Sequence, residues 1–225
     1  LLLLNSHNAS KQLEARADIN LLSSSVYLSV PLSSRLKVNV GGRSTYRNVD
    51  EGGLINLSRP NDLGNGGTIR ENTFISNEPD FRFYDLNLRA QFALSEKAWV
   101  AYNFFRSKDS FVNDYNLNFE SEDSFVVLNE TIYSNDEVWK NQAHSLQYEH
   151  GLSDNLTLSS NFHYTRYEQT SELVSSLIQN RNGTIMIDSI YNSTDSQLQD
   201  WGYELSLKIG KPDNYLLVGF DYNDY

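Results

Sequence analysis

Histidine, serine and carboxylate are the side chains here that could do chemistry, and their spacing assigns no reaction to any of them. His144, His150 and His163 lie in two alternating runs. Residues of unlike parity on a strand point to opposite faces, so His144 and His163 part although they sit close across a hairpin. His150 falls among apolar neighbours. Scattered this way, the three read as surface or interfacial residues, not metal ligands. Ser23-Ser24-Ser25 reads as turn chemistry. No G-x-S-x-G elbow, H-E-x-x-H or phosphate-binding loop occurs in the sequence. The expectation is a chain that is not an enzyme, with no catalytic residue, cofactor or metal and with its ligand-contacting residues unassigned.

Carboxylates are plentiful but uneven. Asp109, Asp114, Glu120, Glu122, Asp123, Glu130, Asp136 and Glu137 crowd one polar stretch. They read first as a solvated loop and second as a site for divalent or other cations, without the spacing of a calcium-binding loop. A net charge of −11 argues against nucleic acid as a partner. There is no cysteine, which removes disulfides and thiolate metal sites.

These side chains are carried by segments of period two. Leu146, Tyr148, His150 and Leu152 alternate with polar residues, then Ser153-Asp154-Asn155 turns the chain into Leu156, Leu158, Ser160, Phe162 and Tyr164. In that hairpin His150 should face Leu158, Tyr148 Ser160 and Leu146 Phe162. The same device recurs at 31–36, 93–98 and 210–214. Strands are expected at 11–21, 25–32, 35–46, 81–94, 98–107, 141–152, 156–167, 200–210 and 215–225, about nine in all. The first reversal is placed at Leu22-Ser23-Ser24. Between the tight turns, 47–80, 107–140 and 167–199 read as long loops, the first of them rich in glycine with Pro60 and Pro79.

Tight turns at one end and long loops at the other are the asymmetry of an outer-membrane β-barrel. A hydrophobic content of 39% and a mean hydropathy of −0.51 suit a wall that is apolar on one side only. No apolar run is long enough for a helical span. Leu1 to Leu4 are too short for a signal-peptide core, and because the first residue is not Met the N-terminus is read as a cut end. Glu14, Arg16, Asp18, Lys37, Arg43, Asp85, Arg89, Glu149, Glu204 and Lys208 should share the non-lipid side, where so many charges need a wide, wet or plugged lumen. Two aromatic girdles are expected. Trp201, Tyr203, Tyr164, Tyr167, Tyr84, Trp139 and Tyr46 lie at strand ends beside the long loops, and Trp99 and Tyr215 beside the tight turns.

Leu21-Leu22-Ser23-Ser24-Ser25-Val26-Tyr27-Leu28-Ser29-Val30-Pro31-Leu32-Ser33, followed by Val40-Gly41-Gly42-Arg43-Ser44-Thr45-Tyr46, resembles the first barrel strands of TonB-dependent outer-membrane receptors. Phe83-Tyr84-Asp85-Leu86-Asn87-Leu88 and Phe104-Phe105-Arg106-Ser107-Lys108-Asp109 resemble the next hairpin. The resemblance covers about 20–170 and beyond that only the hairpin rhythm.

The resemblance implies an all-β, antiparallel up-and-down transmembrane barrel of about 22 strands, of which residues 1–225 would be an open fragment without plug domain or C-terminal strands. It further implies uptake of a scarce small-molecule nutrient (siderophore, vitamin, glycan or peptide) across the outer membrane of a Gram-negative bacterium. The implied partners are outer-membrane lipid, the missing plug domain and, through it, the TonB complex. A porin-like passive channel and a soluble β-sandwich binding module are the alternatives. The terminal segments 11–21 and 215–225 are expected to stay unpaired edges.

Overall fold

A computed structural model describes residues 12–45, 74–119, 128–181, 183–211 and 214–224. They form one antiparallel sheet of nine strands in sequence order: β1 (Glu14–Ile19), β2 (Ser23–Pro31), β3 (Leu36–Thr45), β4 (Phe74–Ala93), β5 (Ala98–Phe119), β6 (Leu128–Ser153), β7 (Leu156–Arg181), β8 (Thr184–Lys211) and β9 (Asn214–Asp224). β1 and β9 do not pair, so the sheet is open. The up-and-down order follows from short hairpin links between neighbours.

Serine side chains close three of the turns. Ser33 Oγ accepts from the amides of Arg35 and Leu36 at 3.2 and 3.0 Å, and Ser95 Oγ accepts from Lys97 at 3.2 Å. Ser153 Oγ accepts from Asn155 at 3.4 Å. Only Asp154 and Asn155 separate β6 from β7, because the register shifts between Gly151 and Ser153 and a bulge takes up Leu152. The expected pairs His150–Leu158, Tyr148–Ser160 and Leu146–Phe162 are all present. The first reversal lies at Asn20–Leu22 and not at Leu22-Ser23-Ser24, so β2 begins at Ser23. Asn20 Oδ1 accepts from the amides of Leu22 and Ser23 at 2.9 and 2.8 Å, an Asx turn whose signal is one asparagine.

The largest departure from expectation is strand length. Most of the supposed loops 107–140 and 167–199 is strand, as is 74–80. Polar and apolar residues mix on both faces there, as in Ile185, Met186, Asp188 and Ile190 of β8, so alternation vanishes while backbone pairing continues. Gly183, at φ 81°, turns β7 into β8, and its amide donates to Asn180 Oδ1 at 3.1 Å. Pro79 lies in β4 beyond the last described pairing with β3, Ser44–Tyr84, where β5 is the one described neighbour. An edge position tolerates the missing donor. The glycine-rich segment up to residue 73 lies outside the described residues, as do Tyr46 and Tyr225.

The register also fixes a stagger. Leu36, Phe92, Val100, Tyr148, Ser160, Leu205 and Phe220 are successive partners in one row across seven strands. Leu36 is the first residue of β3, Val100 lies two beyond the start of β5, Ser160 four beyond that of β7, and Phe220 six beyond that of β9. Each turn therefore starts two residues lower than the one before it. Backbone bonds stitch the steps together: Ala93 N to Arg35 O at 2.8 Å, Gly151 N to Lys97 O at 2.7 Å and Gly210 N to Asn155 O at 2.8 Å. One residue of slip per strand, at a rise of about 3.3 Å and a spacing of about 4.8 Å, corresponds to a strand tilt of about 35°.

Candidate functional site

Cross-strand partners share a face, so the register sorts every described residue onto one side of the sheet. Glu14, Arg16, Asp18, Lys37, Arg43, Asp85, Arg89, Glu149, Glu204 and Lys208 all fall on the same side, as expected. There they form a bonded wall. Arg43 clamps Asp85 with Nε and a terminal nitrogen at 2.9 and 2.8 Å and lies over the ring of Phe83 at 4.6 Å. Arg89 donates to Asn103 Oδ1 at 2.7 Å and to Gln147 Oε1 at 3.0 Å, and Asn103 passes the chain on to Ser145 Oγ at 2.9 Å. Trp99 Nε1 donates to Glu149 at 3.3 Å, and Asn141 donates to Ser107 Oγ at 3.1 Å.

The wall is not self-sufficient. Asn39 Oδ1, Asn161 Oδ1 and Asp200 Oδ1 are buried acceptors without a hydrogen-bond partner. A buried acceptor left unbonded costs about 1–3 kcal/mol, a cost that a polar partner on this face would relieve. His163 stands 3.5 Å from the other oxygen of Asp200, and a Cβ at Gly202 would run into its imidazole. Past the reach of the apolar band, Asp109 has its carboxyl pushed above the usual range, first by burial and next by Asp85, against the pull of Arg43.

The opposite side is apolar near the tight turns. Val26, Leu28, Val38, Val40, Leu88, Ala90, Val100, Tyr102, Leu146, Leu158, Phe162, Leu205, Leu207, Val218 and Phe220 follow one another there. No second layer covers them among the described residues, and Val26, Leu146 and Phe220 are exposed. The band ends in an aromatic row: Phe104, His144, Tyr164 and Trp201 are consecutive partners, with Tyr84 beyond them on β4. His144 belongs to this row. Its Nδ1 is 2.7 Å from the Tyr102 hydroxyl, its Nε2 is 2.7 Å from Gln142 Nε2, and its ring stacks near Phe104 at 5.1 Å and Tyr164 at 6.0 Å. His150 contacts the Tyr148 hydroxyl at 3.1 Å.

The girdle expectation needs two corrections. Trp139 and Tyr167 lie mid-strand on the polar face, because β6 and β7 run past them. Trp99 and Tyr215 also face the polar side, where Lys208 Nζ lies 4.1 Å from the Tyr215 ring centroid. One aromatic row on the apolar face therefore exists, at the edge of the apolar band and mid-strand instead of at the strand ends, and the two tight-turn aromatics do not form its counterpart. Parity could have shown this: Trp99 and Tyr215 are odd in runs whose apolar positions are even.

Among the described residues no three His, Asp or Glu side chains come together as a metal site. Glu120, Glu122 and Asp123 lie outside the described residues. The residues that sequence reasoning passed over are those just past the aromatic row on the apolar side. Arg106, Lys140, Gln142, Arg166 and Glu168 line a cleft of about 160 Å³ there. Compared with known proteins, the chain matches no family model, no curated protein and no solved structure.

Proposed function

We propose that this chain is part of the membrane-spanning wall of an outer-membrane β-barrel of the TonB-dependent receptor type. In this reading its apolar face meets lipid, and its polar face lines a lumen that a plug domain occupies. A small nutrient passes through, driven by the TonB complex acting on the plug. The host is a Gram-negative bacterium, and the chain has no catalytic role.

The observation that carries the reading is the match between stagger and apolar band. Along β7 the band runs from Leu156 to Tyr164, and along β8 from Trp201 to Ile209. Nine residues at about 3.3 Å, tilted by about 35°, rise about 25 Å, the height of the lipid-facing band of such barrels. A soluble β-sandwich would need a second layer over this face. A porin-like channel is the second reading, favoured by the unbonded acceptors Asn39, Asn161 and Asp200, which water could satisfy as well as a plug.

The test is uptake by cells producing the full-length protein. Fractionation with the outer membrane, together with accumulation that stops when the proton gradient is collapsed, is the expected result. Gradient-independent flux would favour the passive channel. A protein that stays in the soluble fraction would sink both.

A further inference from the structure

We infer that the outward face carries a seat for the phosphate of a lipid headgroup, built by Arg106, Lys108, Lys140 and Arg166 immediately past the aromatic row. The inference rests on the membrane reading above and adds a specific lipid chemistry to it.

Arg106 pairs Gln142, which pairs Arg166, in the row that follows Phe104, His144 and Tyr164. Lys108 pairs Lys140, which pairs Glu168, in the next row out. The nearest acid in those rows is Glu168, in contact with Arg166 and 3.8 Å from Lys140 Nζ. Further out on this face come Arg82, bonded to Asp80, then Asp195 beside Thr170, and Asp136 paired with Glu172. Within the two rows of the seat, four cations meet one carboxylate, in a chain whose net charge is −11. Arg106 and Lys108 form no ion pair among the described residues.

Lys108 and Lys140 stand directly opposite each other, an arrangement that repels within the sheet. An external anion between them would turn that repulsion into attraction. Beside Lys140, a cleft of about 160 Å³ is lined by Arg106, Gln142, Arg166 and Glu168. Its place selects the source of the anion. Aromatic rings settle at the headgroup level of a bilayer, so a row of cations one step beyond them meets the phosphates of the lipids whose chains cover Leu146 and Phe162. Guanidinium forks and ammonium groups are the usual phosphate donors.

The test uses the full-length protein in neutral detergent and in phosphatidylcholine nanodiscs. It is titrated with lipid A, which carries two phosphates, and with dephosphorylated lipid A, with binding read by native mass spectrometry. Phosphorylated lipid should bind at least 10-fold tighter. The combined variant Arg106→Gln, Lys108→Gln, Lys140→Gln should weaken it by roughly 100-fold, at about fivefold per charge. Lys97→Gln, at the opposite strand end, should change nothing. If the combined variant does not fold, the single variant Lys108→Gln should still lose several-fold.

Equal binding of the two lipids, or a triple variant that binds like the parent, would overturn the seat while leaving the membrane reading intact. Displacement of lipid A by equimolar inorganic phosphate would overturn the lipid as its ligand. Failure of the protein to enter nanodiscs at all would overturn both.

Discussion

The strands of this sheet have two halves that obey different rules. Near the tight turns, β2 to β9 keep the apolar side free of charge, with Leu88 beside Asn87 and Leu146 beside Gln147 on opposite faces. Beyond the aromatic row the same strands run on without a preferred side. Val112, Asp136 and Glu172 share a face in the far half, and Phe111, Glu137 and Ser171 share the other. Backbone pairing is equally complete in both halves, so hydrogen bonding does not distinguish them. If the apolar face meets lipid, as proposed, the difference is solvent. A strand with an apolar phase on one side must keep a period of two, whereas a strand with water on both sides needs only its backbone partners.

The sharpest way to break this contrast is to place arginine in each half. In the full-length protein folded into bilayers, Leu88→Arg should cost about 2–4 kcal/mol by urea unfolding. Asn87→Arg on the polar face should cost little, and Val174→Arg, on the apolar side of the far half, less than about 0.5 kcal/mol. Equal losses at Leu88 and Val174 would erase the boundary. Equal losses at Leu88 and Asn87 would show that the face assignment is wrong.

A smaller effect sharpens the polar side. Arg89→Ala removes the donors to Asn103 and Gln147. On a wet wall water replaces them, and the expected loss is about 1 kcal/mol. A loss of more than about 3 kcal/mol would mean a dry face, in conflict with the unbonded acceptors at Asn39 and Asn161.

The smallest effect lies at the turns. Lys97 Nζ donates to Asp154 Oδ1 at 2.9 Å, which holds the Asp154 carboxyl below its usual range and the Lys97 ammonium above its own. The depressed acid stabilises above the ordinary aspartate pKa, and that contribution is lost as pH falls through the lowered value. The raised base stabilises below the ordinary lysine pKa, and its contribution is lost only as pH rises through the raised value. Both are present at neutral pH. Both groups are exposed, so the shift is slight. Amide exchange of the turns at 94–97 and 153–156 should quicken modestly in acid and be insensitive to acid in Asp154→Asn. Identical acid sensitivity in that variant would remove the ion pair from the account.

What could be read from the amino acids alone is what a short window decides. The period of two sorted ten charged residues onto one face, because side-chain direction depends on parity and on nothing distant. Short polar links between alternating runs, such as Ser153-Asp154-Asn155, marked the turns, because Ser, Asp and Asn are turn residues. Strand number and order followed from those turns.

Other features only the assembled sheet decided. Strands running to Phe119, Arg181 and Thr184 left no pattern to read, since polar and apolar residues mixed on both faces carry no period. The two-residue step of each turn, the closure of His144 with Tyr102 and Tyr164, and the meeting of Lys108 with Lys140 depend on which residue of one strand faces which residue of the next. Inter-strand register is a non-local quantity: the backbone bonds at almost any slip, and the slip observed is the one at which apolar positions from separate hairpins fall into line.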